Sequence, residues 1–551
     1  MKLSDIFPEK ESFSRKRKIG EEEIAVASQV LCDYKNAKAV LENRIVEDEQ
    51  WWKLRHWETF EKNKDSERTK SVSAWLFNTL TNKHADAMDS FPEATVLPRE
   101  KDDTEEAKKL SGILPAIMEH NDFEEIYSSN WWYKLKHGCC AYGVFWNSEA
   151  QSGLGDIQIK KIDLLNIFWE PGITDIQKSR NLFVVDLRDA DILQSEYPFL
   201  RGKDLGSAID IKQYIYDDTV DVTNKVVVVD WYYKLRNPDG RTVLHYCKFV
   251  GDNVLFASEN IEEYRERGWY DHAEYPIVLD CLFPEEGTPV GFGFVAVTKN
   301  PQMYIDKLND AILENALMAA KPRYFAKITA GINEQEFLDW SRPIVHVEGD
   351  INEERLRPIN VAQLPASCIN ILQMKINELK ETSANSDFNR GNAGGGVTAA
   401  SAIAALQEAG NKVSRDMLKA TYRAYTAINY LCIELIRQFY TETRTFRINK
   451  PDGGYEFSDY SNNNLSMQKD RESLWRKPVF DIAVRTQKKS PYTRLAQNEL
   501  AKELFRLGFF NPQNTVQSLA ALEIMDFEGK RAVEEKIREI SQTIKPEEER
   551  M

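Results

Sequence analysis

Between residues 20 and 136 apolar side chains recur at helical spacing, and after Gly138 the period shortens. The first stretch predicts helices over 20–62 and 71–91, with a tryptophan cluster at Trp51, Trp52 and Trp57, and two more over 104–119 and 122–136. Short β-branched or aromatic runs then predict strands at 139–147, 156–162, 181–187, 226–235 and 242–250. The sequence NPDGR at 237–241 is a turn signal, so the last two strands should form a hairpin. The middle third is therefore expected to be α+β.

From about residue 295 the helical period returns. In 299–320, Tyr304, Leu308, Ala311, Ile312 and Ala319 share one face, while Met303, Leu313 and Leu317 lie opposite. A one-sided surface helix does not need both sets; a helix packed between two neighbours does. Pro322 breaks the pattern, and short strands are expected in PRYFAKI and PIVHVEG around a helical piece, INEQEFLDW. Ile369, Leu372, Ile376 and Leu379 predict a helix over 366–384. A glycine-rich loop follows. A helix is then expected from Thr398 to about Tyr440, kinked at Gly410-Asn411, with an apolar seam of Leu418, Tyr422, Tyr425, Ile428, Cys432, Leu435 and Phe439. Strands are expected at 444–449 and 478–485, and a helical remainder with a charged tail from Pro491.

Length changes the picture by allowing two or three folded units, since the chain has 551 residues, 42% of them hydrophobic. No run of about 18 apolar residues marks a membrane span. The opening MKLSDIFPEKE lacks the apolar core of a secretory signal. The seven cysteines show no C-x-x-C spacing, and Cys139-Cys140 are adjacent, which suits neither a disulfide framework nor a zinc knuckle. A reducing compartment is expected. The net charge of −15 argues against a surface that grips nucleic acid throughout.

The glycine loop is the strongest chemical candidate. Gly391, Gly396 and Thr398 fit G-x-x-x-x-G-K-[ST] except at the lysine, where Val397 stands and brings no charge to a phosphate. Gly394, Gly396 and Ala399 fit G-x-G-x-x-G/A. Both motifs need a strand just before them, and here the preceding pattern is helical. Other candidates read as ordinary structure. Trp131-Trp132 and Tyr232-Tyr233 lack an interleaved basic stripe, which favours packing over base stacking. His84, Asp86 and Asp89 have no second histidine at i+4, and Asp186, Asp189 and Asp191 lack the glycine and glutamate of a calcium loop. Lys412, Arg415, Lys419 and Arg423 share a helix face with Glu408 and Asp416, which favours a salt-bridged face over a nucleic-acid rail. Arg15-Lys16-Arg17-Lys18 runs into Glu21-Glu22-Glu23 and reads as a charged terminus. No G-x-S-x-G elbow or catalytic histidine pairing occurs. No catalytic residue, metal or cofactor is expected.

The order of elements, and GGGVTAASAIAALQEAG followed by a tyrosine-rich helix most of all, resembles the portal proteins of tailed double-stranded DNA bacteriophages. The resemblance implies a mixed α+β, mainly helical fold with wing, stem, clip and crown regions. By position, 1–135 would be the helical part of the wing and 136–294 its α+β part. Residues 295–320 and 366–384 would be the two stem helices, 321–365 the clip, 385–397 the tunnel loop, 398–443 the long wing helix, 444–490 returning wing strands and 491–551 a short crown. It also implies a homo-oligomeric ring of about twelve subunits, closed by one head-to-tail interface, at the capsid vertex of the virion. Implied partners are double-stranded DNA, the terminase large subunit, head–tail adaptor or tail proteins, the major capsid protein and scaffolding protein. The tunnel loop would offer Asn385, Asn389, Arg390, Asn392, Gly394, Gly395 and Gly396 to DNA. Channel candidates on the stem are Lys299, Asp306, Lys307, Asp310, Glu314, Lys375 and Glu378.

On that reading the glycine loop yields to a moving duplex. Three consecutive glycines give backbone freedom that no other residue matches, the asparagines make exchangeable hydrogen bonds, and Arg390 is the loop's single positive charge. A nucleotide-binding enzyme using 391–398, or a capsid protein that does not conduct DNA, are the alternatives.

Overall fold

A computed structural model describes residues 18–60, 70–206, 224–236, 240–320, 323–326, 333–339, 344–346, 356–359, 364–383, 412–449, 455–466, 468–469 and 475–486, with short or single-residue stretches within 331–348 and 498–537. The chain divides into two units, one of 1–46, 82–293 and 411–551, the other of 47–81 and 294–410.

The first unit is built on an antiparallel five-stranded sheet. Its order is Ile167–Trp169, Asn181–Asp189, Lys225–Arg236, Thr242–Val250 and Asn253–Ala257, which is also chain order. Alternation decides which side each residue covers. Val227, Val229 and Tyr233 face Ile24, Ala27, Leu31 and Tyr34 of helix Glu21–Trp52, whereas Val228 joins Leu193, Leu200 and Val250 in a second cluster. The valine run at 226–229 is continuous because both faces are covered. Burying a residue such as Leu31, 1% exposed, contributes roughly 2 kcal/mol.

A three-stranded antiparallel sheet has Cys139–Asn147 at its centre, flanked by Asp156–Ile162 and Ile277–Cys281. Helix Phe123–His137 leads into it through Gly138, whose φ of +91° and N–H bond to the Lys134 carbonyl (2.8 Å) end the helix. A Cβ there would lie 2.2 Å from the Phe292 backbone, so glycine is required by both conformation and space. Helix Lys412–Phe439 packs on this sheet. Residues 431–436 of it are all buried, while Arg415, Lys419 and Arg423 are exposed at its start. The expected seam is therefore part of a wider apolar surround. Strand Pro92–Pro98 pairs antiparallel with Phe480–Thr486, from Pro92↔Thr486 to Pro98↔Phe480.

Lys134 ties three of these elements together. Its Nζ lies 2.7 Å from Asp280 Oδ1 and 2.7 Å from Thr421 Oγ1, and that hydroxyl donates to Asp280 Oδ2 at 2.7 Å. The indole of Trp131 lies 4.5 Å from the ammonium.

The expected hairpin forms, with Val228↔Val250 to Arg236↔Thr242 in register. Strands at 92–98, 167–169, 253–257 and 277–281 are additions to the sequence reading. Trp131, Tyr232 and Tyr233 are core residues, and Trp132 stacks on His84 at 3.9 Å, as packing requires. The helix expected over 398–411, its Gly410-Asn411 kink and nearly all of 491–551 lie outside the described residues.

Candidate functional site

The second unit contains two helices, Phe294–Ala320 and Ala366–Thr382, packed against each other. The first starts earlier than expected and carries Pro301 inside it; a proline that reads as a helix start is here several residues into the helix. Residues 47–60 and 70–81 cover its first half. Trp51 stacks on His56 at 4.5 Å, Trp52 on Phe77 at 4.7 Å, and Trp57 packs on Phe60 at 5.0 Å, so the tryptophan cluster is a local core.

A buried polar network fastens this segment. His56 Nδ1 lies 2.6 Å from Asp306 Oδ2 and its Nε2 lies 3.1 Å from the Trp51 carbonyl. The Ser73 N–H donates to Asp306 Oδ1 (2.8 Å), as does Gln302 Nε2 (3.0 Å), while Gln302 Oε1 accepts from the Leu76 N–H (3.0 Å). One turn on, Asp310 Oδ1 accepts from the Ser71 N–H at 3.3 Å. Position 306 is four residues from 302 and from 310, so all three side chains meet the same segment. His56, Ser73 and Gln302 carry no signal in the sequence; partners some 230–250 positions away select them.

This corrects one expected channel residue. Asp306 is fully buried with its carboxylate engaged, so it does not offer a charge to solvent in this chain. Of the others, Lys299 pairs with Glu47 at 3.3 Å, Asp310 binds the segment, Lys307 lies over the Phe60 ring, and Glu314 is half-buried. Lys375 pairs with Glu378 at 2.6 Å. Asn385, Asn389, Arg390, Asn392, Gly394, Gly395 and Gly396 lie outside the described residues. The element before that loop is helix Ala366–Thr382, so the phosphate-loop frame lacks its strand.

Apolar side chains mark the opposite property. Tyr304, Leu313, Leu317, Met318, Ile369 and Met374 are each between 45% and 68% exposed. An open groove of about 330 Å³ runs along the second helix, lined by Ile371, Met374, Lys375, Asn377, Glu378 and Glu381. Two helices that leave so much apolar surface uncovered in one chain are built to pack against something else.

Between the helices, Arg323–Ala326 pairs antiparallel with Leu356–Ile359. The expected second strand, in PIVHVEG, is displaced: 344–346 is not strand. Pro358 hid the true partner, yet in a two-stranded sheet every strand is an edge, where proline is tolerated. Helix Glu334–Leu338 falls inside the expected INEQEFLDW.

Among the described residues no group of three or more His, Cys, Asp or Glu is placed to hold a metal, and no helix is long and apolar enough to cross a membrane. A search among curated proteins returns no match. The family model described as phage P22-like portal protein matches residues 85–280 and 285–551. The chain therefore belongs to the P22-like phage portal protein family, structural proteins of the bacteriophage capsid that serve genome packaging.

Proposed function

We propose that this chain forms a ring of about twelve copies at the capsid vertex and conducts double-stranded DNA during packaging and ejection. The observation that carries the reading is the uncovered apolar surface of Phe294–Ala320 and Ala366–Thr382. Neighbouring copies would cover it, the two helices acting as a stem around the bore. Residues 321–365 are the clip that docks the terminase large subunit and later the adaptor or tail proteins. The remaining wing and crown assignments follow the sequence order, facing the major capsid and scaffolding proteins. Loop 385–397 reaches the duplex.

Charge supports passage over capture. Twelve copies carry twelve times −15, or −180, and a net negative charge repels DNA over roughly 8–10 Å at cellular salt. The duplex repeats about every 10–10.5 base pairs, so a twelvefold ring matches it in no single register and presents no deep binding well. The protein supplies a conduit, and a separate motor supplies the work.

Electron microscopy of the purified full chain tests this. Rings with a central hole are expected, and Leu317→Asp with Met374→Asp should yield dispersed subunits. Monomers of the wild-type chain under all conditions would overturn the reading.

A further inference from the structure

Cys139 and Cys281 stand opposite each other in adjacent antiparallel strands. The flanking hydrogen bonds fix the kind of pair. The Leu282 N–H donates to the Gly138 carbonyl at 2.7 Å, and the Val144 N–H to the Pro276 carbonyl at 2.9 Å. Hydrogen-bonded pairs therefore fall at 138/282, 140/280 and 144/276, and 139/281 is a non-hydrogen-bonded pair. In such a pair the Cα atoms are about 4.5 Å apart with both side chains on one face. That lies within the span of roughly 4.4–6.8 Å that a disulfide bridges. Cys140 points to the other face.

We propose that Cys139 and Cys281 form a covalent modification site, a dithiol that closes to a cross-strand disulfide. Cys139 is fully buried and Cys281 only partly so, and the two therefore have different roles. The Cys281 thiolate attacks a low-molecular-weight disulfide and displaces one thiolate, leaving a mixed disulfide on Cys281. The Cys139 thiolate then attacks the Cys281 sulfur, the protein S–S bond forms, and the second small thiol leaves. The two protein thiols lose two protons and two electrons, and the small disulfide becomes two thiols. Burial raises both cysteines above their ordinary pKa, which leaves little thiolate and makes the exchange slow. Virions are among the settings where disulfides persist, whereas a cell interior keeps thiols reduced. A chain made inside a cell and released within a virion passes from the second setting to the first. The link would join strand Cys139–Asn147 to strand Ile277–Cys281 whether or not the conduit reading holds.

The full-length wild-type chain, equilibrated across ratios of oxidised to reduced glutathione, is denatured in an alkylating reagent and mapped by peptide mass spectrometry. The expected result is one peptide pair joining Cys139 to Cys281, with two of the seven thiols lost to alkylation. Cys140→Ser should retain that pair, and Cys281→Ser should abolish it. No link at any ratio, or a link that uses Cys140 instead, would overturn the proposal. The wild-type map is decisive even if a serine variant fails to fold.

Discussion

Lys134 and Asp280 form an ion pair sealed from solvent, with Nζ 2.7 Å from Oδ1 and side chains 0% and 1% exposed. Removing one partner strands the other charge in the core. Lys134→Met should therefore destabilise the protein by about 3–5 kcal/mol. Lys134→Met with Asp280→Leu should recover part of that loss, because no lone charge remains. Urea unfolding of the three proteins checks both statements.

Asp306 gathers His56, the Ser73 N–H and Gln302. Asp306→Ala leaves those donors unpaired in a buried place, at a cost of roughly 1–3 kcal/mol. The effect should be local. Trypsin cleavage after Arg55 and Lys70 is expected to speed up, with cleavage after Lys160 and Lys161 in strand Asp156–Ile162 unchanged. Equal acceleration at both would refute a local fastening role.

His245 is 1% exposed, and burial lowers its pKa to about 4. The folded state thus holds it neutral, while the unfolded chain takes up a proton near 6.5. Its contribution is intact above pH 6.5 and is lost as pH falls towards 4. The loss is about 3 kcal/mol by pH 4. His245→Phe should flatten that part of the stability profile between pH 7 and 4; an unchanged slope would count against it.

Lys38 is a second buried base, and the same cause disfavours its protonated form. Its Nζ donates to the carbonyls of Leu164 and Ile167, and burial lowers its pKa to about 7. Between pH 7 and 10.5 the unfolded chain binds the proton that the folded chain has released. Stability should rise with pH across that window, by on the order of 4–5 kcal/mol in full. Lys38→Met should remove the rise, as read from denaturant midpoints at pH 7 and 9.

Local period revealed most helices and the longer strands, because those elements bury residues that recur at their own spacing. Helix Thr104–His120 and strand Cys139–Asn147 were legible to within a residue. Contacts between distant residues were not. Strand Ile277–Cys281 is five residues long, and its partner is fixed by register with Cys139–Gly143. The site was half legible. Both helices could be read from their apolar positions, and the two-sided pattern of 299–320 corresponds to Leu313 and Leu317 standing exposed. The fate of Asp306 was hidden, because a carboxylate's burial depends on what covers it. Here that is His56, 250 positions away.

Strand Pro92–Pro98 has its partner at Phe480–Thr486, and the neighbouring Arg99 and Asp481 are 382 positions apart. At about 5–20 residues per second, a ribosome takes roughly 20–75 s to deliver the second strand after the first. Throughout that interval the first must stay unpaired in a crowded cell. Pro92 and Pro98 remove an N–H at each end, and Glu93 adds a charge. These are the residues that make a waiting ribbon a poor template for the wrong partner.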